Sequence, residues 1–266
     1  MSRLPGLTLA RVALGLYLAA VFARLLPWAE DLYGRAGVLA DPALNPTARV
    51  MPAFVYAWDA APTAFVAGLL GLALALAAGL WPRPVAALLW LGWALLWHRN
   101  VFTLNPAVPF IGFLLLALVA TPGRGAMPRD VWRVITLVLA VGYTWSGFTK
   151  LDSPSWRSGE ALGLVLGGPL ARDVPWVEAL RSAPGVLRVL TWSTLVLELL
   201  ALPLAASRRL RPYAWLALVG LHLGILATVQ FAELTLGMLV VHLFAVDPRW
   251  WPRAGVKVAQ APVAVA

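Results

Sequence analysis

VWRVITLVLAVGYTWSGFTK, residues 131–150, decides how the chain must be read: between Arg133 and Lys150 no residue carries a charge. A helix needs about 20 mostly apolar residues to cross the hydrocarbon core of a bilayer. Inside that core a backbone must satisfy its own hydrogen bonds, which a helix does. The expectation is a spanning helix over Val131–Thr149. Similar apolar runs occupy Leu7–Leu26, Ala61–Leu80, Pro84–Trp97, Pro106–Thr121, Gly185–Ala206, Tyr213–Gln230 and Leu234–Ala245. Flanking residues complete the shorter ones. The fold class expected is all-α, a polytopic transmembrane bundle of eight spans (seven or nine are the neighbouring counts). It fills residues 1–266 as one domain with no separate soluble domain.

Composition agrees. The 266 residues are 61% hydrophobic and 12% charged, with a mean hydropathy of +0.80. A soluble domain averages about 45–50% apolar and roughly 25% charged. The chain has no cysteine, which excludes disulfides and thiolate metal sites. Its net charge of +9 sits in short clusters between apolar runs, without the extended basic face a nucleic-acid partner needs.

Those clusters orient the chain instead. With the N-terminus inside, the inner segments hold Arg3, Arg83, Arg124, Arg129, Arg133, Arg208, Arg209, Arg211, Arg249, Arg253 and Lys257, eleven basic residues against the two acids Asp130 and Asp247. The alternate segments hold eight basic and nine acidic residues. Basic residues concentrate in short cytoplasmic loops, so both termini are expected in the cytoplasm of a multi-pass cell-membrane protein. Of the fourteen tryptophans all but Trp90 and Trp93 lie at or near a run's end, where an aromatic belt belongs. Arg11 interrupts the first run, which continues to Leu26 without a clear cleavage site, so it is expected to stay in place rather than act as a cleaved signal. Arg11 and Arg24 are expected to snorkel from span ends. The long connections Pro27–Ala60 and Lys150–Pro184 both fall outside, which makes the outer face the working face. The second includes an amphipathic stretch, Val174–Arg181, suited to the interface.

Two constellations carry chemistry. On a helix, Tyr143, Ser146 and Gly147 lie seven, four and three residues before Lys150 and share its face. Gly142 and Gly147 allow a close neighbour. Desolvation favours the neutral amine of a lysine, which works as a base; the competing reading is a lysine snorkelling to the headgroups. The second set comes from depth. Glu198, His222 and His242 lie roughly 18, 13 and 16 Å from the outer end at 1.5 Å per residue, all near the middle of a ~30 Å core. Ionisable residues there are functional candidates, or hydrogen-bonded packing glue. Two His and a carboxylate suit a metal only if they face one another. The acidic pair Glu30-Asp31, with Tyr33, is a candidate lining of an outer cavity or a solvated loop face. No phosphate loop, zinc-protease motif or nucleophile elbow occurs.

The run Ser146-Gly147-Phe148-Thr149-Lys150-Leu151-Asp152, followed by Trp156 and Gly159, resembles the signature of the horizontally transferred transmembrane family, which includes vitamin K-dependent γ-glutamyl carboxylase. Arg24–Leu39, His98-Arg99-Asn100 with Leu104-Asn105-Pro106, and Leu221-His222-Leu223 with Phe231 to Phe244 are similar too. The resemblance covers nearly the whole chain, and the block around Lys150 is its specific part. It implies that Lys150 is the base that deprotonates a reduced quinone such as vitamin K hydroquinone. It also implies that His98 lies in the region of a second functional histidine; Tyr143 and Ser146 on the face of Lys150, Trp156 of the motif, and Asp31 with Tyr33 of the outer connection are the candidate substrate contacts. The carboxylase carries a large lumenal domain after its membrane part, whereas here the chain ends soon after the last run. The expected substrate is therefore a small molecule or peptide rather than a large protein. The alternatives are a non-enzymatic accessory or immunity factor for a secreted peptide, a role also found in that family, and a transporter built on Glu198, His222 and His242.

Overall fold

The computed structural model describes residues 5–39, 41, 44–46, 53–121, 127–247 and 249–250. Arg3, Arg49, Arg124, Arg253 and Lys257 lie outside the described residues, as does part of the Pro27–Ala60 connection. Each of the eight apolar runs is helical: α1 (Pro5–Leu25), α3 (Pro62–Ala78), α4 (Pro82–Arg99), α5 (Ala107–Ala120), α6 (Arg129–Leu151), α10 (Pro184–Leu199) with α11 (Ala201–Ala206), α12 (Arg211–Thr228) and α13 (Ala232–Ala245). The short helices α2 (Ala29–Tyr33), α7 (Pro154–Ser158), α8 (Ala161–Gly167) and α9 (Pro175–Arg181) lie between them. Among the described residues there is no strand beyond an isolated bridge between Ala171 and Val229. The stretches Leu7–Tyr33 and Arg129–Leu151 are long and apolar enough to cross a membrane.

Proline sets many of the starts. It occupies the first turn of α3, α4, α7, α9, α10 and α12, where its missing N–H costs nothing and its φ is already helical. Proline also accounts for one departure from expectation. Gly185–Ala206 reads as a single run, yet the helix breaks at Leu200. Pro203 cannot donate to the carbonyl of Leu199, and its ring crowds that carbonyl.

The core is built from Leu14, Leu18 and Phe22 of α1, Leu76 of α3, Leu89 and Leu96 of α4, Ile111, Leu114 and Leu115 of α5, and Ile135 of α6. α1 packs on α3 and α13, α4 on α3 and α5, and α13 also on α5, α6 and α12. Arg11 does not snorkel. Its guanidinium donates to the carbonyls of Leu76 and Ala77 and so adds to the capping of the last turn of α3, whose carbonyls lack partners within the helix. Arg24, at the end of α1, pairs with Glu233 at the start of α13 at 2.7 Å.

The Lys150–Pro184 connection is more than a loop. It folds as α7, α8 and α9, all packed against α10, around a small core of Leu166, Ala171, Val177, Leu187 and Val229. The first half of α10 therefore rises past the end of α6 into this cap, which brings the second half of α10 level with Lys150.

Candidate functional site

Where α6 meets α10 the contact is through glycine. A Cβ on Gly147 would lie 2.8 Å from the Leu199 nitrogen and 3.1 Å from the Glu198 carbonyl carbon. Only hydrogen fits there. One turn further along the same face, Lys150 reaches across the contact: its Nζ donates to Glu198 Oε2 at 2.5 Å and to Ser146 Oγ at 2.6 Å. The ring of Trp156, from α7, lies 5.1 Å from the same Nζ, within cation–π range. The Glu198 side chain is 7% exposed and that of Lys150 21%. The amine is thus turned inward onto a carboxylate and roofed by an indole, which is not the geometry of a snorkelling lysine. α7 is held down by Gly159, whose φ of +82° suits glycine. A Cβ at that position would also meet Arg188 Cγ at 2.4 Å.

Two turns before Lys150, on the same face of α6, Tyr143 is buried and engages the two buried histidines. Its hydroxyl lies 2.6 Å from His222 Nε2 on α12 and 2.8 Å from His242 Nε2 on α13. The Tyr143 and His242 rings stack at 5.8 Å, and Trp215 stands edge-on to His242 while its indole N–H donates to the His242 carbonyl. Both Nδ1 atoms are buried without a hydrogen-bond partner among the described residues. The expected cluster of Glu198, His222 and His242 is therefore split. Glu198 serves Lys150, and the two histidines meet through Tyr143. Depth along a helix is one coordinate, and the direction a side chain faces is set by packing. Among the described residues no three His, Asp or Glu side chains converge as a metal site.

His98, Asp31 and Tyr33 belong elsewhere in the bundle. Helix α4, which holds His98, packs on α3 and α5, and the His98 carbonyl accepts from Asn45 Nδ2 at 2.7 Å. Asp31 is exposed, and Tyr33 is fully buried, its ring 5.7 Å from Trp58. What organises this region is a residue whose part the sequence did not disclose. Arg99, 3% exposed, donates to the carbonyls of Leu39 and Gly34, each at 2.8 Å, while Asn100 Nδ2 donates to the Leu32 carbonyl at 2.9 Å. These bonds fasten the segment after α2 to the end of α4. The signals available were the presence of Arg99 beside an apolar run and its place in the His98-Arg99-Asn100 block.

A cavity of about 540 Å³ lies over α13, between α1 and α12. Its lining is mostly apolar, with Arg24 and Glu233 in one part and His242 and Trp215 in another. That volume falls within the roughly 300–1,000 Å³ common for small-molecule sites. No family model, curated protein or solved structure matches the chain.

Chemically, the Lys150–Glu198 pair holds one proton between an amine and a carboxylate. When that proton rests on Glu198, Lys150 is a neutral amine beside a carboxylic acid. When it rests on Lys150, the pair is an ammonium carboxylate. Partial enclosure under Trp156 strengthens the interaction, because nearby dielectric is lower than in water.

Proposed function

We propose that the chain is a multi-spanning membrane protein of about eight spans with both termini cytoplasmic, and that Lys150 is the base of an enzyme acting on a lipid-soluble quinol or a small molecule or peptide. Support for the membrane comes from the eight helical runs and from their outward faces. Leu74, Leu88, Leu137, Val189, Leu216 and Leu223 are all exposed, an apolar coat that water-soluble monomers rarely carry. The orientation rests on the basic residues of the inner segments. Cysteines placed singly at Ser2, Ser158 and Ser207 would test it, since the chain offers no competing thiol. An impermeant thiol reagent applied to intact cells should label Ser158→Cys only.

The observation that carries the enzymatic reading is the 2.5 Å contact of Lys150 with Glu198 beneath Trp156, at the position where the sequence resembles the lysine base of the horizontally transferred transmembrane family. A proton-accepting pair that is part-enclosed and flanked by an aromatic face suits a quinol head. When bound, a reduced quinone supplies an acidic hydroxyl and two electrons. Lys150, as the neutral amine, takes the hydroxyl proton; the quinolate left behind carries the matching negative charge, and Glu198, in contact at 2.5 Å, holds the resulting ammonium in place. Ser146 fixes the amine's direction, and Trp156 keeps bulk water from it.

The test compares wild type with Lys150→Arg for oxidation of an added reduced quinone by dissolved oxygen in the native host, alongside the host phenotype. Arginine keeps the charge but does not release its proton usefully, its pKa exceeding about 12. Loss of quinol oxidation at equal expression is expected. Equal activity and phenotype in the two proteins would sink the base. A lost phenotype with no quinone chemistry in either protein would instead favour the accessory-factor role.

A further inference from the structure

A phenol carries one hydrogen, so Tyr143 donates to one of the two Nε2 atoms and accepts from the other. With both rings neutral, one histidine is the Nε2–H form and the other the Nδ1–H form. Since each Nδ1 is buried and unpartnered among the described residues, one ring ends in an unmet donor and the other in an unmet acceptor. This holds whichever way the hydroxyl points. Buried polar groups in folded proteins are nearly always paired, so two at the ends of one chain of hydrogen bonds call for an explanation. Packing glue needs no such loose ends. A metal site fares worse, because a ligating histidine gives its second N–H to a carbonyl or carboxylate, and neither ring does.

We propose that His222, Tyr143 and His242 form a proton relay. Neither Nδ1 is exposed, so exchange with water at either end takes a transient opening of the packing; in such an opening a proton from water binds the bare Nδ1 of the first ring. That ring's Nε2–H passes to the Tyr143 oxygen, the phenolic proton passes to the second Nε2, and the second ring releases its Nδ1–H to water. One proton enters and one leaves, no electron moves, and the array finishes as its own mirror image. Both arrangements use the same 2.6 and 2.8 Å contacts, so the heavy atoms need not move. His242 borders the cavity between α1, α12 and α13, which puts one terminus beside that space. His222, on α12, is the other terminus. The Lys150–Glu198 pair lies two turns along α6, about 10 Å away at 1.5 Å per residue. The relay does not require that pair to be a base.

The chain's three histidines make a direct test practical. Full-length protein labelled with ¹⁵N-histidine in lipid vesicles yields three imidazole systems, and His98→Gln assigns the one outside the relay. At low temperature His222 and His242 should show opposite tautomers. On warming, the two ring nitrogens of each should average towards a common shift, and the averaging should slow in D₂O. Tyr143→Phe, which removes only the hydroxyl, should abolish the averaging. Two rings in the same tautomer would overturn the proposal, as would opposite tautomers that stay fixed until unfolding. Averaging indifferent to D₂O would indicate ring motion rather than proton transfer and would overturn it equally, with no recourse to the variant.

Discussion

Lys150 Nζ and Glu198 Oε2 stand 2.5 Å apart across the glycine contact of α6 with α10, 48 residues apart in the chain. The partnership makes each residue's cost depend on the other. Glu198→Leu leaves the ammonium without its carboxylate, and the expected loss is about 1–3 kcal/mol, the usual cost of an orphaned polar group. Lys150→Met strands a buried carboxylate and should cost at least as much. The double variant should recover much of the loss, because apolar replacement of both partners is often tolerated. Denaturant unfolding of all four proteins gives the coupling energy; additive losses would mean the pair contributes nothing jointly.

Gly147→Ala should destabilise by roughly 1–3 kcal/mol, the range for forcing a methyl into a packed contact. The obstruction is backbone on α10, which cannot rotate away as a side chain can. Gly220, inside α12, has nothing within 4 Å of its added Cβ. Gly220→Ala should stabilise by about 0.5–1 kcal/mol, the helix-interior difference between the two residues. Thermal melts of the two variants should therefore shift in opposite directions.

Arg99→Met removes the donors that hold the Leu39 and Gly34 carbonyls. The segment between them includes Arg35, which is exposed and tied to Asp59 at 2.8 Å. Trypsin should cut after Arg35 faster in the variant than in the wild type, while the core helices stay resistant. An unchanged cleavage rate would show that Arg99 does not fasten this segment.

Asp247 provides a pH signature. Burial alone would raise its carboxyl, but hydrogen bonds from Arg249 and the charges of Arg249 and Arg211 outweigh that and hold it below the ordinary 3.8. A carboxylate with a depressed folded value binds protons less readily than its unfolded counterpart. Its stabilisation is therefore complete above about pH 4 and is lost as pH falls through the lower folded value. Asp247→Asn should melt earlier than wild type at pH 7, and the gap should close on acidification below pH 4. A gap independent of pH would mean the loss is steric.

The helices were legible because apolar runs of spanning length leave little else to form, and the Lys150 face was legible because residues 143, 146, 147 and 150 must share a side of any helix. Glu198 as the partner of Lys150 was not legible. Counting depth from the end of its run assumes α10 starts level with the end of α6, whereas α10 starts beyond it in the α7–α9 cap, which raises Glu198 to the level of the lysine. The Tyr143 link was hidden for a related reason. Tyr143 read as a neighbour of Lys150, and only the packing of α13 against α6, with α12 against α13, brings His222 and His242 to its hydroxyl. Arg11 was misread, and Arg99 went without a role, for one reason. Long basic side chains near span ends suggest escape to water, yet here they turn back to meet carbonyls.

The 48-residue separation of Lys150 and Glu198 also has a meaning in time. At about 5–20 residues per second of synthesis, the carboxylate emerges roughly 2–10 s after the amine. During that interval α6 is complete but its lysine has only Ser146 of its own helix as a hydrogen-bond partner, and the glycine face that will receive α10 is bare. Nascent chains stalled between these two residues should thus hold α6 in a loosely docked state, open to chaperones or to the insertion machinery. Arrival of Glu198 is the event that closes it.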